Sequence, residues 1–141
     1  MNKYLKLILI LIIFSKKSIA GEITKLYDST YSARIERDKW GVPHIYGKRD
    51  SDVSFGLAYA HSQDDFQSIR DIILASRGIL ASVYGKEAAV NDYYVHLMDF
   101  WNNVNENYNE KIPMDVQNIC EGYAAGINLF LKDNPSLKIK E

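Results

Sequence analysis

A single cysteine, Cys120, stands among 141 residues, so no internal disulfide can form. Charge of one sign is also lacking. The formal net charge is -1, with neither a basic excess of the kind that binds nucleic acid nor an acidic tail. No internal repeat or low-complexity segment is present. No Gly-x-Ser-x-Gly elbow, Cys-x-x-Cys pair or glycine-rich phosphate loop occurs. No apolar run is long enough to cross a bilayer. The longest, Leu7 to Phe14, rises about 12 Å as a helix, against a hydrocarbon core of about 30 Å.

What is present describes an ordinary globular composition. Hydrophobic residues make up 47% of the chain, which argues against disorder. Tyrosine is frequent, at ten residues, and places many half-apolar, half-polar side chains at surfaces or interfaces. The first twenty residues read as a secretory signal peptide: lysines at Lys3 and Lys6, the apolar run, then Ser18-Ile19-Ala20 as a small-x-small cleavage pattern. The Lys16-Lys17 pair within that last region is atypical. Cleavage after Ala20 leaves residues 21–141, with Gly21 rather than a lipid-accepting cysteine in front and no remaining membrane association.

Within residues 21–141, Tyr31 to Tyr46 reads as extended chain. Ala33, Ile35 and Arg37 alternate with Ser32, Arg34 and Glu36, the period of a strand. Gly41 permits a turn, and Pro43, lacking an amide hydrogen, belongs at a sheet edge or strand start. A long helix follows, capped by Asp50 or Ser51 and favoured by Asp52 in its first turn. Phe55, Tyr59, Ser62, Phe66, Ile69, Ile73 and Leu80 form its apolar stripe. Gly78 ends it. A second helix is predicted from about Asp92 to Tyr108, with Tyr94, Leu97, Trp101, Val104 and Tyr108 on one side. A third starts near Asp115 after Pro113, carries Val116, Cys120, Tyr123, Ile127 and Phe130 as its stripe, and closes at Asn134-Pro135. On that stripe Cys120 is expected to be buried. The fold class is therefore α+β, a strand pair followed by three mainly amphipathic helices. Two short strands cannot make a sheet with a covered face, and three apolar stripes must bury against something. The pattern predicts an incomplete domain, the first part of a larger fold.

Three ordered blocks then carry a resemblance. Arg37-Asp38 with Gly41-Val42-Pro43-His44-Ile45 is the first, and Asp52, Phe55-Gly56, Tyr59-Ala60 and Gln63-Asp64 form the second. The third is Glu121-Gly122-Tyr123-Ala124-Ala125-Gly126-Ile127-Asn128. Together they resemble the penicillin acylase family. The resemblance implies an N-terminal-nucleophile hydrolase with a four-layer αββα fold, of which residues 21–141 would be a light-chain-like segment. Such enzymes are made as secreted precursors that cut themselves into a light and a heavy chain. The heavy chain's new N-terminal serine attacks an acylated amide, and its own α-amine, with a reference pKa near 8, takes the proton. The substrates implied are penicillins, acyl-homoserine lactones or lipopeptides such as aculeacin. Asp64-Asp65 departs from the Asp-Arg common in the family and resembles the Asp-Asn of the long-acyl members. Gly78-Ile79-Leu80-Ala81-Ser82 stands where Gly-Arg-Leu-Ala-Glu is frequent. Calcium is implied for the complete enzyme, but no family calcium motif falls in this segment.

No residue of the segment reads as catalytic, cofactor-binding or metal-binding. Ser76 and Ser82 follow alanines but lie in or beside a predicted helix, a poor place for self-cleavage. His44 has no nucleophile or carboxylate partner placed by the sequence and is expected to hold Trp40 and Tyr46 across the corner. His61 and Asp64 share a helix face, too few ligands for a tight metal site. Arg37 and Asp38 need matching charges, for which Arg70, Asp71 and Arg77 are candidates. Gly122 and Gly126, four apart, let their helix approach a neighbour closely, and Asn128 is a candidate donor to another segment. The function expected is that of the N-terminal segment of an exported amidohydrolase whose nucleophile comes from a heavy chain, inactive by itself. A truncated inactive gene product and a small secreted binding module are the alternatives.

Overall fold

The computed structural model describes residues 21–137. The expected signal segment, residues 1–20, lies outside the described residues. The chain is α+β, with a sheet of three antiparallel strands rather than two: β1 Ile23–Tyr27, β2 Ser32–Arg37 and β3 Pro43–Gly47, in that spatial order. β1 was not expected. Its alternation is weak, since Thr24 and Lys25 leave Leu26 as its one buried residue. The pairing Leu26 with Ala33 and Ile35 with Ile45 turns these apolar side chains to one face. The β2–β3 turn is fixed by Asp38, whose carboxylate accepts from the amides of Trp40 (2.8 Å) and Val42 (3.0 Å). Gly41 takes φ 85 there, a value side chains resist.

Four helices follow: α1 Asp50–Arg77, α2 Ala89–Leu97, α3 Phe100–Lys111 and α4 Met114–Asp133, with a helical turn Ala81–Tyr84 and a 3-10 turn Gly85–Ala88 after α1. The start of α1 differs from expectation. Neither Asp50 nor Ser51 caps it. Arg49 is the flanking residue, and buried Asp52 reaches back, accepting from the Arg49 amide (3.1 Å), the Arg49 guanidinium (2.7 Å) and the Ser32 amide (3.1 Å). This carboxylate therefore joins helix, loop and sheet. The Arg49 hydrogen bond holds the Asp52 pKa down to about 2 despite burial.

The sign of the resulting pH effect follows directly. A carboxylate with a lowered folded pKa adds stability above its ordinary value and loses it as pH falls toward the folded value. The Asp52 contribution is present above about pH 4 and gone near pH 2, an effect of about 2 kcal/mol. Asp52→Asn is expected to flatten the acid limb of a stability profile over that range. A thermal-melt series from pH 2 to 6 that leaves the limb unchanged would contradict the assignment.

The helix α1 is bent at Asp65, whose backbone leaves helical values (φ -155, ψ 74). Its side chain starts the helix again, accepting from the Ser68 amide (3.1 Å) and hydroxyl (2.6 Å). The first half packs on the sheet and on α4. Gly56 faces the sheet so closely that a side chain there would meet Ile45 and Ala33 at 2.7 and 2.8 Å. Gly122 and Gly126 of α4 lie against the Ser51 and Phe55 carbonyls, the close approach expected of them. The α1–α4 contacts rise together along both helices, Ser51 with Gly122, Phe55 with Gly126 and Tyr59 with Phe130. The two helices therefore run parallel. The core between them and the sheet holds Leu26, Ala33, Ile35, Phe55, Tyr59 and Phe130.

The remaining stripes differ from expectation in two places. The predicted single helix from Asp92 to Tyr108 is two, broken at Asp99 in the left-handed region (φ 52) that Asp tolerates better than most residues. Cys120 is exposed rather than buried. The buried line of α4 runs through Gln117, Gly122, Gly126 and Phe130, because the glycines let α1 sit closest there.

Candidate functional site

The second half of α1, the turns after it, α2 and α3 form an arm that leaves the core and returns to α4. Its joints are polar and specific. Gly78 ends α1 with φ 68. Asp92 then accepts from the Leu80 (2.9 Å) and Ala81 (2.8 Å) amides, which fixes the following turn onto α2. His96 meets the Gly78 carbonyl at 3.0 Å, and the Asn91 amide donates to the Ala75 carbonyl at 2.8 Å. The Trp101 indole donates to the Ser76 carbonyl (2.7 Å) beneath the Arg77 guanidinium, 4.1 Å from its ring.

Held this way, the arm presents apolar surface that no other described residue covers. No residue of α3 is buried. One open cleft of about 540 Å³ lies between α1, α2 and α3, lined by Ile72, Ala75, Val95, Phe100, Trp101 and Val104. A second, of about 380 Å³, lies between α3 and α4, lined by Val104, Tyr108, Ile112, Val116 and Cys120. The stripe predicted for the second helix, with Leu97 at 59% and Tyr94 at 58% exposed, looks outward. Such clefts can receive an acyl or aromatic group, or the apolar side of another polypeptide. Hydropathy identified Tyr94, Leu97, Trp101, Val104 and Tyr108 as a stripe but could not say that the stripe would stay open.

The polar candidates sit elsewhere and are tied into local structure. Arg37 meets Asp64 at 2.8 Å and also donates to the Gly41 carbonyl (2.8 Å) and the Gln63 side chain (3.3 Å). Asp64 and Gln63, rather than Arg70, Asp71 or Arg77, are thus its partners. Arg70 pairs with Asp71, and Tyr84 donates to Asp71. His44 lies 3.7 Å from Asp38 and does not hold Trp40, which is 76% exposed. The amides of Trp40 and Val42 and the His44 ring outweigh desolvation and hold the Asp38 carboxyl below its usual range. His61 meets the Tyr123 hydroxyl at 3.1 Å rather than Asp64. Asn128 is exposed. Ser76 and Ser82 donate to the Ile73 and Ile79 carbonyls and face no base. Among the described residues, no three His, Cys, Asp or Glu side chains gather as a metal site, and no helix is long and apolar enough to cross a membrane.

The fold is shared in part with the acylase class of enzymes. The solved structure of a thermostable penicillin G acylase from Alcaligenes faecalis superimposes with a TM-score of 0.62 at 26% identity, covering 77% of this chain and 59% of that one. The sequence profile of the penicillin amidase family matches residues 32–139, and the chain belongs to that family. An acyl-homoserine lactone acylase, PvdQ, of Pseudomonas fluorescens is 28% identical over 72% of this chain and 14% of its own length. A penicillin acylase 2 proenzyme of a Pseudomonas species is 28% identical over 76% of this chain and likewise 14% of its own. An aculeacin-A acylase of Actinoplanes utahensis is 25% identical over 75% of this chain. The chain thus spans about one seventh of the curated relatives it matches.

Proposed function

We propose that the chain is the light-chain-like segment of an exported amidohydrolase that removes acyl groups from amides, and that a heavy chain brings the nucleophile. The observation that carries this reading is the uncovered arm: α3 has no fully buried residue, and the two apolar clefts flank it. On a chain matching one seventh of its relatives, that surface is explained most simply as the seat of the remaining polypeptide. The solved acylase chain, of which the match covers 59%, must be several times shorter than the curated relatives, as a processed chain would be. One relative is itself named a proenzyme.

In this reading the roles divide by chemistry. The heavy chain supplies an N-terminal serine and its α-amine as base. This segment supplies an apolar wall and a rigid corner, where Arg37 joins the hairpin turn to α1 through Asp64. The wall suits an acyl group, and Asp64-Asp65 leans the substrate class toward the long-acyl members. No residue of the segment is assigned to calcium, which the resemblance implies for the complete enzyme.

Co-expression with the reading frame that follows Glu141, or with a heavy chain of the family, is expected to yield deacylation of acyl-homoserine lactones or penicillin G. The lone chain is expected to give none. Hydrolysis by the purified lone chain would overturn the reading, because no nucleophile–base pair stands among the described residues to perform it.

A further inference from the structure

The sheet has a second face, turned away from α1, and it is open and basic. The register places Lys25, Arg34 and Tyr46 abreast across the three strands. Two cations directly opposite each other destabilise a sheet unless something neutralises them. Arg34 is partly neutralised by Glu36 and is stacked 4.3 Å over the Tyr46 ring. Among the described residues, no carboxylate pairs with Lys25 or Lys48. A cleft of about 340 Å³ lies there, lined by Lys25, Tyr27, Ser32, Arg34, Tyr46 and Lys48.

We propose that this face receives an acidic polypeptide segment whose carboxylates lie against Lys25, Arg34 and Lys48. The inference rests on the reading that a second polypeptide completes the fold, and it names the chemistry of that polypeptide at this contact. Charge complementarity selects an anionic partner. The exposed faces of Tyr27 (63%) and Tyr46 (47%) give such a segment apolar surface that a free anion would leave in water. Glu36 interrupts the basic character, which disfavours a flat anionic lipid surface.

The test uses the full chain and a fluorescent ten-residue glutamate peptide, followed by anisotropy at low and high salt. Binding is expected at low salt and should weaken about tenfold in a Lys25→Glu, Lys48→Glu double variant. A Lys86→Glu, Lys132→Glu variant, altered elsewhere on the surface, is expected to bind as the parent does. Tyr46→Ala provides a second, uncharged probe of the same face and is expected to weaken binding. Equal binding by the Lys25, Lys48 variant, or no binding by the parent, overturns the proposal. So does equal competition by inorganic phosphate, which would indicate a small-anion site. Capture by phosphatidylglycerol vesicles without peptide binding would assign the face to lipid instead and also overturns it. Deacylation is not read in this experiment, so its failure is separate from failure of the hydrolase reading.

Discussion

Gly126→Ala is expected to lower the stability of the chain by about 2 kcal/mol, although alanine is the better helix former. The propensity gain is about 1 kcal/mol. Against it stands the new methyl, which would fall on the Phe55 carbonyl and lie 2.8 Å from the Ala58 Cβ. Overpacking of a close contact costs about 1–3 kcal/mol, and more where the obstacle cannot move aside. Here the obstacle is backbone held in the α1 ladder, so no rotamer change relieves it and the helices must separate. Gly122→Ala meets the Ser51 carbonyl in the same way. A urea titration is expected to show a lower midpoint for either variant. An unchanged or raised midpoint would mean that α1 and α4 are not in the contact described.

Phe55→Ala has the larger expected effect, a loss of about 3–5 kcal/mol. The side chain is fully buried, stacked on Tyr31 at a ring separation of 5.6 Å, and set among Leu26, Ala33 and Ile35. It joins the strands to the helix pair, so its removal leaves a cavity bounded by elements that cannot all close on it. Small domains have about 5–15 kcal/mol of stability in total, and the loss is a large part of that. Loss of the cooperative thermal transition, read by near-ultraviolet circular dichroism, is the expected result. Phe55→Leu keeps most of the volume and is expected to retain the transition at a lower midpoint. If Phe55→Ala melts like the parent, the core has been misplaced.

The sequence made some of this legible and hid the rest for identifiable reasons. The strands β2 and β3, the turn at Gly41 and the helix end at Gly78 follow from local backbone chemistry, and they stand where expected. So does the close approach at Gly122 and Gly126. The stripe drawn through Cys120 failed because glycine contributes nothing to an apolar pattern, yet decides which side of α4 is nearest α1. The break at Asp99 carries neither glycine nor proline to announce it. The partner of Arg37 was missed because Asp64 lies 27 residues away, and only the stacking of hairpin on helix brings them together. Of the candidate site, Trp101, Val104 and Tyr108 were visible as part of a stripe, whereas Ile72, Val95, Phe100 and Ile112 were not. Whether a stripe is covered depends on what packs on it, which no local pattern records.

The parallel run of α1 and α4 has a consequence for the order of events on the ribosome. Ser54 reaches the Ile119 carbonyl across 65 residues of chain, and Tyr59 reaches Asp133 across 74. Closing contacts so distant in sequence is slow, and it cannot begin until the later helix has been made. The hairpin and the first turns of α1 therefore emerge well before the helix that seals them. During that interval the side of α1 that Gly122, Gly126 and Phe130 later cover remains in water.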